Sequence, residues 1–213
     1  MMKRTIAILG DSYSTYLGYV PVDYASWYND EGNEATNNMT SVEQTWWKQL
    51  ITNEDYELIA NCSYSGSPVC NTWYNGADAT ELSFIKRMYR ELGPETVSPD
   101  ILLVFGGTND FWAGVPVGTA KYENWTVEEL KCFAPAFSYM MDYLTKTHTA
   151  SKIYNIINDD ITGPIREWMI TICEKYHVPC IILRDVEKET GHPNQSGMKA
   201  IYEQVKVAIK EKE

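Results

Sequence analysis

Five short apolar runs, at residues 5–9, 56–60, 101–105, 153–157 and 180–183, alternate with longer segments whose apolar positions recur at helical spacing. That alternation is the strongest constraint on the fold. A strand buried on both faces reads as a continuous apolar run, and an intervening helix returns the chain so that the next strand lies parallel. The pattern therefore predicts an α/β architecture, a five-stranded parallel sheet covered by helices on both faces. With 213 residues and 44% hydrophobic content, the chain is long enough for one sizeable core and short for two. Residues 1–213 are expected to form one domain.

The connecting segments carry their own signals. Ser41 and Gln44 have capping-box spacing ahead of a helix bearing Trp46, Trp47, Leu50 and Ile51. Residues 81–92 place Leu82, Ile85, Met88, Tyr89 and Leu92 on one face and stop at Gly93-Pro94. A third helix is expected from about 126 to 147, broken or kinked at Pro135. Residues 162–176, and residues 193 to the lysine-rich end, complete the set. Residues 13–40 have no period and are interrupted by glycine and proline, yet they carry Tyr16, Tyr19, Tyr24, Trp27 and Tyr28. The aromatics favour an ordered segment, either a substrate-binding element or a loop covering the core's edge. A second aromatic-rich loop is expected at 111–125.

Charge and cysteine usage narrow the class. A formal net charge of −11 argues against a nucleic-acid groove or an anionic membrane surface as partner, so a small neutral or cationic substrate fits better. The longest apolar run is far short of the roughly 20 residues of a spanning helix. The run after Lys3 and Arg4 is too short for a secretory signal, so a cytoplasmic location is expected. Cys62, Cys70, Cys132, Cys173 and Cys180 lack CxxC or finger spacing and read as reduced core thiols. Asp159-Asp160 follows a predicted strand, but no histidine or further acid stands at a ligand spacing, and no metal site is expected.

In an open parallel sheet, ligands bind beyond the carboxyl ends of the strands. The first run ends in Gly10-Asp11-Ser12, the second leads to Ser65-Gly66, and the third leads to Gly106-Gly107-Thr108-Asn109-Asp110. A serine there is a candidate nucleophile, although the tripeptide alone suits an ordinary helix cap. Its hydroxyl needs a base to take its proton and donors to hold an oxyanion. The backbone N–H groups of Ser12 and Gly66 and the Asn109 amide are the candidate donors, although an Asn109 or Asp110 Asx-turn is the plainer reading of that block alone. Asp11 and Asp110 read as caps or ties of their turns. Of three histidines, His148 and His177 lie near helix ends and read as structural or solvated. His192 precedes Pro193 at what reads as the first position of the last helix, and is the candidate base.

Taken in order, Ser12, Gly66, Asn109 and His192 resemble the four blocks of the SGNH branch of the GDSL-type serine hydrolases, over nearly the whole chain. The resemblance implies a flavodoxin-like three-layer α/β/α sandwich. It also implies Ser12 as nucleophile, His192 as general base and acid, Ser12, Gly66 and Asn109 as oxyanion hole, and no metal or organic cofactor. Members hydrolyse carboxylic esters or thioesters of lipids, acyl groups on sugars, and other small acyl substrates. The chain departs from the family at Glu189, where DxxH would have an aspartate. Glu189 is the expected third catalytic residue, with Asp185 or a backbone carbonyl as alternatives. The expected function is a serine esterase or acylhydrolase working through an acyl-enzyme. The competing reading is a catalytically silent module that binds a carbohydrate or acyl ligand on the same fold. A nucleotide-binding flavodoxin-like domain is disfavoured, because Gly10-Asp11-Ser12 lacks a glycine-rich phosphate loop.

Overall fold

The computed structural model describes residues 3–31, 37–93 and 95–211. Its centre is a five-stranded sheet of β1 (Thr5–Gly10), β2 (Glu57–Ser63), β3 (Ile101–Phe105), β4 (Lys152–Ile157) and β5 (Cys180–Ile182), ordered β2-β1-β3-β4-β5 and parallel throughout. All five predicted runs are strands. The second runs on to Ser63 because Cys62 and Ser63 pair with Leu9 and Gly10.

Alternate side chains of the central strands feed two cores, as the two-residue period of a strand requires. Ala7, Leu9, Leu102 and Val104 pack under α2 (Phe84–Glu91), α4 (Phe133–Thr147) and α5 (Gly163–Lys175). Ile6, Ile8, Leu103 and Phe105 pack under α1 (Trp46–Asn53) and α6 (Gln195–Glu211). The result is a three-layer α/β/α sandwich of flavodoxin-like order.

Several boundaries differ from expectation for identifiable reasons. The Ser41–Gln44 capping box is real, but it caps a 3-10 turn (Val42–Gln44), and Thr45 caps α1. Pro135 does not break α4. The helix begins at Phe133, so the proline falls in its first turn, where its missing N–H is not needed. Pro193 is not the first residue of the last helix. It pairs with Lys188 in a small antiparallel ribbon of β6 (Lys188–Glu189) and β7 (His192–Pro193), and Asn194 caps α6 by accepting from the Gly197 N–H at 3.0 Å. A short helix, α3 (Thr108–Ala113), occupies the start of the loop expected at 111–125. Of the aromatic segment, Tyr13, Tyr16 and Tyr28 are buried in the second core, so the described part is ordered packing, while residues 32–36 lie outside the described residues.

Candidate active site

The chain reverses its direction of winding between β1 and β3, and the crevice at such a switch point is where open α/β sheets bind ligands. Gly10 pairs with Ser63 on one side and Phe105 on the other, so Ser12, Gly66 and Asn109 leave neighbouring strands at one sheet edge. Asp11 N–H donates to the Phe105 carbonyl at 3.2 Å, and the Asn109 Nδ2 donates to the Ser67 carbonyl at 3.1 Å, tying the three turns together. Gly66 and Gly107 adopt positive φ, +82° and +91°, a conformation that glycine takes without steric cost. Among the described residues, the N–H groups of Ser12 and Gly66 donate to no protein acceptor.

His192 arrives from the other end of the chain. Its Nε2 stands 2.9 Å from the Ser12 Oγ. Its Nδ1 faces the Thr190 carbonyl at 3.2 Å, and a carbonyl only accepts, so Nδ1 carries the proton and Nε2 is left as the acceptor for the serine O–H. The turn between β6 and β7 makes this contact. Thr190 and Gly191 both have positive φ, +51° and +76°, as a two-residue hairpin of the I′ kind demands. Such a φ strains a β-branched threonine, and here the strained residue supplies the imidazole's partner.

Glu189 does not reach the imidazole. Its carboxylate accepts from the Asn38 N–H at 2.9 Å and from Asn194 Nδ2 at 3.4 Å, and so fastens the loop before α1 to the start of α6. Asp185 is exposed at positive φ and also makes no bond to His192. Asp159 and Asp160 are engaged by Lys188, and Asp159 also accepts from the Val186 N–H. Among the described residues no group of three or more His, Cys, Asp or Glu side chains is arranged to hold a metal ion. His148 is buried against the Leu92 carbonyl, and His177 is exposed beyond α5.

The imidazole sits in an aromatic enclosure that no periodicity announces. The Trp27 indole stacks face to face on it, with centroids 3.6 Å apart and planes within 7°. Tyr13, Trp112 and Tyr28 meet it edge-on. Tyr13 O–H donates to the Gly191 carbonyl and Tyr28 O–H to the Pro193 carbonyl, so two of these rings also hold the histidine's backbone. With His192 only 6% exposed, burial pushes its pKa down to about 4, against the pull of the Thr190 carbonyl. The imidazole is neutral in the pH range where a general base is needed.

Two buried carboxyls and one buried arginine brace the turns. Asp11 accepts from the Tyr13 N–H, and burial raises its pKa to about 7. Asp110 accepts from the Val69 and Cys70 N–H groups, tying α3 to the loop after β2 through backbone N–H bonds, and burial raises it to about 6. Arg87 is completely buried on α2, where it donates to the carbonyls of Gly10, Cys62 and Leu82 and to the Ser67 hydroxyl. It clasps the ends of β1 and β2 beside the Ser12 turn. Its signal in the sequence is a charge three residues after Phe84 with an opposite charge, Glu91, four residues further on, and the two pair at 3.6 Å.

The family model for GDSL-like lipase/acylhydrolase matches residues 4–209. The chain belongs to that family, and is accordingly a hydrolase acting on esters. A GDSL-like lipase structure from Bacteroides ovatus is 41% identical over 99% of this chain and 100% of its own, with a TM-score of 0.93. One from Bacteroides uniformis is also 41% identical at a TM-score of 0.93, over 98% of this chain and 96% of its own. More distant in sequence, a family two carbohydrate esterase from Clostridium thermocellum in complex with cellohexaose shares the fold, with a TM-score of 0.68 at 15% identity, over 98% of this chain and 64% of its own. No curated protein sequence matches. Among the described residues no helix is long and apolar enough to cross a membrane.

Proposed function

We propose that the protein cleaves a small acyl ester through an acyl-enzyme on Ser12, with His192 as base and acid and no carboxylate in direct support. The observation that carries this reading is the relay Ser12 Oγ, His192 Nε2, His192 Nδ1, Thr190 O, at 2.9 Å and 3.2 Å. As Ser12 attacks the acyl carbon, its O–H proton passes to Nε2. The carbonyl's π electrons move onto oxygen, and that oxyanion is taken up by the Ser12 and Gly66 N–H groups and the second N–H of Asn109. The imidazolium then protonates the departing alcohol, and a water repeats the sequence in reverse roles. In this reading the Thr190 carbonyl does the orienting that Glu189 was expected to do.

An acylated carbohydrate is the substrate class favoured here. Aromatic rings suit the apolar faces of sugars, and a Cβ placed on Gly66 would lie 3.6 Å from the Trp73 ring, while one on Gly191 would lie 3.4 Å from Trp112. Two tryptophans thus flank the proposed oxyanion donor and the base. The carbohydrate esterase among the fold relatives supports the same class. The test is fluorophosphonate labelling combined with hydrolysis of p-nitrophenyl acetate and acetylated xylan. Stoichiometric labelling of the wild type, abolished together with hydrolysis in Ser12→Ala, is expected. An unlabelled, folded wild type would refute the acyl-enzyme and favour the silent binding module instead.

A further inference from the structure

In a hydrolytic triad a carboxylate holds the imidazole in register with the nucleophile and stabilises the imidazolium that forms. Among the described residues no carboxylate touches His192, yet both tasks remain, and a single carbonyl contact at 3.2 Å fixes only one edge of the ring. Among the described aromatic residues only Trp27 covers a face of the ring, at 3.6 Å and nearly parallel, while the others meet it at 60° or more. The backbone of Trp27 is itself tied to the nucleophile. Its N–H donates to the Thr15 Oγ1 at 2.9 Å, and the same hydroxyl donates to the Ser12 carbonyl at 2.9 Å. The indole that covers the base is therefore referenced to the turn that presents the serine.

We propose that Trp27 is a positioning residue that stands in for the missing acid: its π face holds the His192 imidazole in line with the Ser12 Oγ and stabilises the imidazolium during proton transfer. The proposal rests on the Ser12–His192 reading above. In the ground state the imidazole is neutral and the stack is a packing contact. When Nε2 takes the serine proton the ring becomes a cation, with Nδ1–H still on the Thr190 carbonyl, and a cation over an indole face is attracted by its quadrupole. The attraction exists only once the proton has moved, so it lowers the barrier rather than the substrate's binding energy. A cation–π contact corresponds to roughly a 3- to 30-fold effect on rate, with the upper end reached when it is desolvated.

The test compares Trp27→Leu, which keeps bulk and removes the π face, with Trp27→Phe, which keeps a face. Kinetics are read on p-nitrophenyl acetate, and the His192 tautomer is read by 15N NMR of histidine-labelled protein. For Trp27→Leu the expectation is a kcat lower by roughly 10-fold with KM within about twofold. Its thermal midpoint should stay close to that of Trp27→Phe, which recovers most of the lost kcat. The leucine variant should also lose the uniform Nδ1–H form of His192. Wild-type kcat in Trp27→Leu, equal losses in the two variants, or a loss confined to KM would each overturn the proposal. A wild type that neither turns over nor labels would instead defeat the functional reading. The tautomer then decides the positioning role by itself: its retention in Trp27→Leu overturns that role, and its loss there with recovery in Trp27→Phe supports it.

Discussion

Replacing Glu189 by glutamine keeps the side chain's shape and removes its charge, which isolates what orients His192. In the structure the carboxylate serves the Asn38 N–H at 2.9 Å and Asn194 at 3.4 Å, and the imidazole receives nothing from it. An amide oxygen retains the shorter of these bonds without its charge assistance, at a cost of about 1 kcal/mol in stability. The reacting groups keep their geometry, so kcat/KM on p-nitrophenyl acetate should stay within about fivefold of wild type. A triad acid behaves differently: its neutral amide counterpart presents the wrong hydrogen-bonding pattern to the imidazole and lowers kcat by about 10⁴-fold. Initial rates normalised to fluorophosphonate-reactive sites distinguish the two cases by some three orders of magnitude. A loss above a hundredfold in a variant still fully folded at the assay temperature would refute the proposed arrangement, because it would require the carboxylate to reach Nδ1 in the working enzyme.

In the proposed mechanism the buried imidazole sets the acid limb of kcat/KM. With the His192 pKa near 4, about 90% of the base is neutral at pH 5, where an ordinary imidazole at 6.5 would be about 3% neutral, so activity should persist to pH 5; a limb at pH 6 to 7 would show that the base is solvated. The same depression has a stability consequence. The unfolded chain binds this proton near pH 6.5 and the folded one only near 4, so the contribution of His192 to stability is complete above 6.5 and falls by about 3 kcal/mol as pH drops through that window; the raised carboxyls of Asp11 and Asp110 act in the opposite sense in both proteins, so between pH 7 and 4.5 in urea unfolding the wild type should lose about 2 kcal/mol relative to His192→Phe. Asn109→Ala, which removes the proposed side-chain oxyanion donor, should lower kcat by roughly 100- to 1000-fold with KM little changed; an unaltered kcat would remove Asn109 from the oxyanion hole.

Much of this architecture was legible because it is encoded locally. Strands such as Ile101–Phe105, buried at every residue, read as unbroken apolar runs, and helices such as α2 carry their stripe at fixed spacing. The blocks around Ser12, Gly66 and Asn109 were legible for a related reason: a residue just past a parallel strand lies at the ligand-binding edge whatever the rest of the chain does. Element ends were less legible. Whether Pro135 sits inside a helix or in its first turn depends on where Cys132 turns the chain, and Pro193 was read as a helix start because its pairing partner, Lys188, is visible only in three dimensions.

The partners of His192 were beyond local pattern. Glu189 stands three residues before the histidine, as an orienting acid should, but it faces His192 across a hairpin so tight that the Thr190 carbonyl lies beside Nδ1, and Asn38 draws the carboxylate away. Trp27 has no periodic neighbour to mark it, and it meets the imidazole from the opposite end of the chain. The sequence by itself determined the alternation of strand and helix and the sheet edge past which Ser12, Gly66 and Asn109 fall, because these follow from hydrophobic period and from position after a strand, whereas His192 stood out only through the resemblance of the four blocks to a known family. Only the tertiary structure decided what touches each ring and carboxylate. The contacts of Glu189 with Asn38 and of His192 with Ser12 join loops 150 residues or more apart in sequence, and even the local Thr190 contact depends on the direction of a side chain, which no one-dimensional pattern encodes.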